Sequence, residues 1–278
     1  TCARTGWHVH DNKITMLDDT FLDSEIQLAC DWVINNNVIS TPNHANGNGP
    51  SLKFRRGKDR LWIFNNYFDK PHLFIYNQST CYGIVSGKST NGAIYVFNNS
   101  ANDVAAAKQG FIMDNSAVDR NAGCVGVEAR TRLFSRNNSF ESTTNVWNKF
   151  NDGDDVIGND HWTGGYTAGS PSVRDLGHHV CSDAEACGTN TALGQCGGTG
   201  GCDASAPGRP LSGAAPWRLT ASSILIGKGT NDPIGQGPNL CSIALWPGHT
   251  IDCTKDYDGQ PRGDVWDIGA DEYASGGK

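Results

Sequence analysis

The sequence predicts an all-β fold, a solenoid in which coils of short parallel strands stack on one another. Three observations carry this. First, an apolar or β-branched run that ends in an Asn-rich corner recurs, most clearly as Leu61-Trp62-Ile63-Phe64-Asn65-Asn66-Tyr67-Phe68. Strong copies begin at Trp32, Ile94, Phe111 and Leu133, and weaker ones at Trp7 and Val156. Second, the steps between corners are irregular: from Asn12 through Asn36, Asn66, Asn99, Asn115, Asn138 and Asn159 they are 24, 30, 33, 16, 23 and 21 residues. Fixed strands with loops of variable length give that pattern. Third, 34 glycines, 18% charged residues and only 37% hydrophobic residues are thin for a globule but sufficient for a narrow core.

The corner has a physical reason. A strand must turn sharply without leaving its sheet, and Asn tolerates the left-handed region while its amide bonds neighbouring backbone. Stacked coils place one Asn above the next, so the amides can bond along a ladder. The apolar lead-in residues then face inward. Five strong copies with the same lead-in separate this pattern from ordinary hairpin turns in a sandwich or barrel.

Along the chain, residues 1–162 read as the coils. The acidic stretch from Asp18 to Glu25 reads as a solvated lateral loop, with calcium the one cofactor its carboxylates could take. Thr41 to Pro50 is loop by composition. The next stretch, Ser51 to Arg60, carries the most charge chemistry. With Leu52 and Phe54 inward, Lys53 and Arg55 face outward together, and Arg56 follows at the strand end. These cations are a local exception on a chain of net charge −7, and carboxylates such as Asp59 or Asp69 are alternative partners for them. In Cys124 to Arg130, inward Val125, Val127 and Ala129 leave Glu128 and Arg130 outward. Leu52 lies 14 residues before Asn66 and Val125 lies 13 before Asn138, which predicts one common sheet. Arg4, Lys53, Arg55, Glu128 and Arg130 would then form a strip along that sheet, with Arg56 and Tyr82 as further binding residues. Asp154 and Asp155 offer a hydrolase pair, but adjacent strand residues point to opposite faces. Of three glycosylation sequons, those at Asn98 and Asn137 fall in the corners, where the amide is engaged, and Asn77 stays open.

Residues 163–216, rich in Gly, Ser, Pro and Cys, read as a long lateral loop. Residues 217–278 return to strands and are expected to cap the stack. Ten cysteines, an even number, point to an oxidising compartment and hence to an extracellular or cell-surface protein. Cys181, Cys187, Cys196 and Cys202 sit where burial cannot hold a loop, so disulfides are the expected staple, and Cys241 with Cys253 would close the next loop. Spacing does not fix the connectivity of any of them, and the absence of Cys-x2-Cys speaks against zinc. The net acidity excludes a general nucleic-acid footprint. No apolar run of 18 residues exists to span a membrane. No signal peptide is visible, and the pattern is already under way at Trp7, so the chain reads as a processed product or fragment.

The strand–Asn-Asn–strand coils resemble right-handed parallel β-helix proteins of the pectate-lyase-like superfamily. Trp217 to Gly229, Asp256-Tyr257-Asp258-Gly259-Gln260-Pro261-Arg262 and Asp267-Ile268-Gly269-Ala270-Asp271-Glu272-Tyr273 are similar to the closing segment of secreted bacterial β-helix proteins. Those usually have Ser-Pro-Ala-Ile where this chain has Ser222-Ser223-Ile224-Leu225. The basic strand running into Asn-Asn-Tyr-Phe resembles the alginate and chondroitin lyase branch. That resemblance implies a polysaccharide partner and β-elimination on a uronate: Arg55 and Arg130 hold the carboxylate, Lys53 accepts the proton and Glu128 orients it. A glycoside hydrolase and a non-catalytic, self-assembling surface rod are the other two classes, since β-helices host all three.

Overall fold

The computed structural model describes residues 6–15, 22–24, 32–40, 52–55, 60–69, 75–78, 93–104, 111–112, 132–142, 147–148, 156–158, 160–163, 174–175, 180–181, 211–212, 215–219, 221, 223, 225–235, 237–238 and 240–273. They contain strands and no helix. The chain is a parallel β-helix. Its first sheet is built from β1 (Trp7–His10), β4 (Trp32–Asn35), β7 (Arg60–Phe64), β10 (Ala93–Phe97), β13 (Arg132–Arg136), β16 (Val156–Gly158) and β18 (Arg174–Asp175), in that order. The second runs β2 (Lys13–Thr15), β5 (Val38–Ser40), β8 (Tyr67–Asp69), β11 (Ser100–Val104), β14 (Ser139–Ser142), β17 (His161–Thr163) and β19 (Val180–Cys181). The third holds β3 (Leu22–Ser24), β6 (Leu52–Arg55) and β9 (Ile75–Gln78). Beside β9 lies β12 (Phe111–Ile112), paired with β15 (Trp147–Asn148). Each described coil therefore contributes one strand to the first sheet and one to the second, the first three coils add one each to the third, and every pairing among these strands is parallel.

Two expectations change here. The acidic stretch read as a loop contributes strand β3, with Leu22 in register with Leu52 and Ile75. The Phe111 copy is not a first-sheet strand, because β10 pairs directly with β13. Its short run belongs beside β9, and Asn115 lies outside the described residues.

Within the first sheet, two columns point inward. Trp32, Leu61 and Ile94 form one, and Ile34, Ile63 and Val96 the other, all buried. The alternate residues Val33, Trp62, Phe64 and Phe97 face outward yet are buried too. What covers them is the C-terminal segment: Cys241, Ile243, Leu245, Ile251, Cys253 and Trp266 pack onto them in one apolar cluster. At about 1.5–3 kcal/mol per buried large side chain, this second core contributes on the scale of the first. Its hairpin, β22 (Ser242–Trp246) and β23 (His249–Asp252), is antiparallel and is closed by the Cys241–Cys253 disulfide, with Cα atoms 5.1 Å apart. That pairing is one the sequence offers. The described contacts of this segment are lateral: it lies along the flank of the first sheet, where the sequence reading expected a cap on the stack.

Candidate functional site

The five corners at Asp11, Asn36, Asn65, Asn98 and Asn137 each use their two residues differently. The first of each pair, Asp11, Asn36, Asn65, Asn98 or Asn137, has φ between 53° and 57°, the left-handed conformation. The second forms the ladder. Asn12 Nδ2 donates to Asn37 Oδ1 (2.9 Å), Asn37 to Asn66 (3.0 Å), Asn66 to Asn99 (3.0 Å), Asn99 to Asn138 (2.9 Å) and Asn138 to Asp160 Oδ1 (3.0 Å). The rungs are thus Asn37 and Asp160, where the sequence spacing had pointed to Asn36 and Asn159. The backbone N–H of each rung donates to the same oxygen as its amide, for example Asn66 N to Asn99 Oδ1 (3.0 Å). From Asn37 on, each amide donates forward to the oxygen of the next rung and back to a carbonyl of the preceding coil, as Asn66 does to Asn99 Oδ1 and to the Ile34 carbonyl, and the row meets Asp160, which also accepts from Ser135 Oγ–H (2.8 Å). Aligned donors of this kind reinforce one another in a dry interior.

Two of the first-position residues, Asn65 and Asn137, serve the flank, whereas the buried side-chain amide of Asn98 has no hydrogen-bond partner among the described residues. Asn65 Nδ2 donates to the Lys255 carbonyl (2.6 Å), and Asn137 Nδ2 donates to the Thr230 carbonyl while Thr230 N–H donates to Asn137 Oδ1. Ser100 Oγ accepts from Ala270 N–H (3.0 Å). The closing motif supplies the rest. Arg262, with a fully buried side chain, donates to Glu272 (2.9 Å) and to the Gly269 and Ala270 carbonyls, and lies over the Trp266 ring. Asp267 accepts from Gly227 and Tyr273 N–H, Asp256 from Gln260 and Glu272 N–H, and Asp271 from Leu219 N–H. Burial pushes Glu272 up to about 7, outweighing the attraction of Arg262. Burial likewise raises Asp267 and lowers Arg262. The carboxylates therefore brace the C-terminal segment internally, and Arg262 reaches the coils by donating to Asn65 Oδ1 (3.3 Å).

Of the sequence-predicted site residues, Lys53 and Arg55 lie on β6 of the third sheet, at alternate positions out of phase with buried Leu52. Lys53 shares its register position with Asp23 on β3 and Tyr76 on β9, and Arg55 shares its own with Gln78. Arg4, Arg56, Tyr82, Glu128 and Arg130 lie outside the described residues, as do Cys187, Cys196, Cys202, Asp154 and Asp155. Cys181 lies in β19, in register with Trp162. Among the described residues no group of three or more His, Cys, Asp or Glu side chains is arranged to hold a metal ion. No described helix is long and apolar enough to cross a membrane.

A further polar cluster escaped the sequence reading. His8 and His10 occupy the outward columns that later coils fill with Val33, Trp62 and Tyr95, and with Asn35, Phe64 and Phe97. His8 Nε2 bonds Asn35 Oδ1 (2.7 Å), and its Nδ1 lies 3.1 Å from His249 Nε2. The His8 and His10 rings stack at 3.9 Å, His10 pairs with Asp11 (2.6 Å) and His249 stacks on Trp246 (4.2 Å). Burial, partly offset by the Asn35 bond, holds His8 below its ordinary pKa, and His10 and His249 lower it further. The alternation Trp-His-Val-His was the visible signal, but His249 is 241 residues away.

The fold and its ladder define a parallel β-helix protein. No protein-family model matches the chain, and no curated protein is significantly similar to it.

Proposed function

We propose that this is a secreted β-helix protein of the pectate-lyase-like kind that binds an acidic, uronate-bearing polysaccharide along the third sheet and cleaves it by β-elimination. The observation that carries the binding half is the register of β6: Lys53 and Arg55 at alternate positions, with Tyr76 and Gln78 one coil on, about 4.8 Å away. Two cations beside an aromatic and an amide suit a charged sugar chain laid across the coils. The elimination half rests on the resemblance. In it Lys53 takes the proton next to the uronate carboxylate, Arg55 and Arg130 neutralise that carboxylate, Glu128 orients Lys53, and the glycosidic C–O bond breaks as a C=C bond forms. The disulfide supports an oxidising, extracellular setting. The test is a panel of uronate polymers followed by ultraviolet absorbance of unsaturated products. Lys53→Ala should abolish product and leave the circular-dichroism spectrum unchanged; full activity in that variant would refute the assignment.

A second reading, a non-catalytic self-assembling rod, has one specific support. Strands β1 and β2 are sheet edges, Asn12 is the outermost described rung, and Trp7 is 55% exposed although its ring stacks on Trp32. If no polymer is bound or cut while the protein sediments as concentration-dependent oligomers, this reading replaces the first.

A further inference from the structure

The first coil is attached to the C-terminal segment in a different way from the coils that follow. Further along the flank, Val33, Trp62, Phe64 and Phe97 meet the hairpin through apolar packing. At the first coil the outward positions are imidazoles, and His8 meets His249 across 3.1 Å. Because Asn35 Oδ1 accepts, His8 Nε2 carries a hydrogen, so neutral His8 offers a lone pair at Nδ1. His249 Nε2–H then donates to it. One added proton is tolerated, since His249 can hold it on Nδ1 and still donate. Two added protons put N–H on both sides of the contact, and two imidazolium rings then repel.

We propose that the His8–His249 hydrogen bond is a proton-operated latch between the first coil and the C-terminal hairpin, closed while at most one imidazole is charged and open when both are. The groups facing it are His10 and Asp11 from the first coil and its corner, Asn35 from β4, and Trp246 from β22. His10 lowers the His8 pKa further, and Asp11 opposes it. His8 sits below its ordinary pKa, so the latch contribution is complete above the unfolded value of 6.5 and is lost as pH falls through the lower folded value. Opening frees the hairpin from β1 and leaves the ladder between the first and second coils intact. The inference is independent of the glycan reading.

Hydrogen exchange resolved by peptide, corrected for intrinsic rates, tests it. Between about pH 7.5 and about pH 5, protection across residues 7–10 and 246–249 should fall about tenfold, the scale of one lost hydrogen bond, while residues 61–68 hold theirs. His249→Gln should abolish the fall, because an amide can donate to neutral His8 and accept from charged His8. His8→Ala should be open at both pH values. The proposal is overturned if the wild type shows no local fall, if His249→Gln falls equally, or if His10→Gln abolishes the fall. Should His249→Gln fail to fold, His249→Asn serves the same comparison.

Discussion

At the scale of single residues, the corner pairs divide two tasks between chemically identical side chains. In Asn65-Asn66, the first residue pays conformational strain at φ 53° and reaches out to Lys255, while the second is buried and satisfies four backbone or amide groups of neighbouring coils. Asn66→Ala strands the buried Ile34 and Phe64 carbonyls and the Asn37 amide. It should cost roughly 3 kcal/mol or more in denaturant unfolding, at about 1–3 kcal/mol per orphaned group. Asn65→Gly keeps the backbone conformation and should cost less than Asn65→Ala, which forces an ordinary side chain into the left-handed region at about 1 kcal/mol more. Equal losses in the two Asn65 variants would show that the backbone conformation does not matter there. Glu272 sets a pH dependence of opposite sign to that of His8. Its folded pKa, about 7, lies above the ordinary 4.5, so the folded state holds the proton more tightly than the unfolded chain. Its stabilising contribution is complete below 4.5 and lost as pH rises through about 7. Glu272→Gln should flatten melting temperature against pH in that window, and a wild-type slope that survives the substitution would assign the effect to another group.

At the scale of elements, the hairpin β22–β23 is a short ribbon that could not stand alone in water. It persists because one face, Ile243, Leu245 and Ile251, lies on Trp62, Phe64 and Phe97, and because Cys241–Cys253 closes its ends. Replacing both cysteines with serine should lower stability by about 2–4 kcal/mol and loosen the hairpin before the coils, as read by exchange in residues 241–253 against 61–68. Gly269 is the tightest point of the docking. Its φ is +110°, its N–H donates to the Asn137 carbonyl, and an added Cβ would lie 2.9 Å from Ser100 Oγ. Gly269→Ala should therefore cost about 1–3 kcal/mol through strain and a displaced Ser100, measured by thermal unfolding.

At the scale of the whole molecule, two cores share one sheet. The inner one is threaded by the ladder, and the outer one lies between the first sheet and the C-terminal segment. The third sheet, with β6, is the one on which the glycan reading places its cations. Damage to the flank should therefore alter stability and pH response with less effect on glycan binding, whereas Lys53→Ala and Arg55→Ala should weaken binding without moving the melting temperature. Calorimetric titration with a uronate oligomer, set beside melting curves, separates these outcomes. Binding lost in Cys241→Ser with Cys253→Ser and kept in Lys53→Ala would reverse the assignment.

The sequence by itself determined the coils, because inward apolar residues and left-handed corners are local demands that each copy must meet with its own residues. It offered the Cys241–Cys253 closure, whose partners are 12 residues apart, but left the connectivity open until the structure showed that bond. It did not distinguish strand-turning from ladder-forming Asn at Asn36 and Asn37, since both residues suit either position until coils are stacked. It did not show that Trp62, Phe64 and Phe97 are buried on the outer face, because alternation alone assigns them to solvent. Nor did it reveal the role of the closing motif or the His8–His249 contact. Those depend on a segment from the far end of the chain lying against the first sheet, and only the tertiary structure, by bringing together residues up to 241 positions apart, decided where it lies.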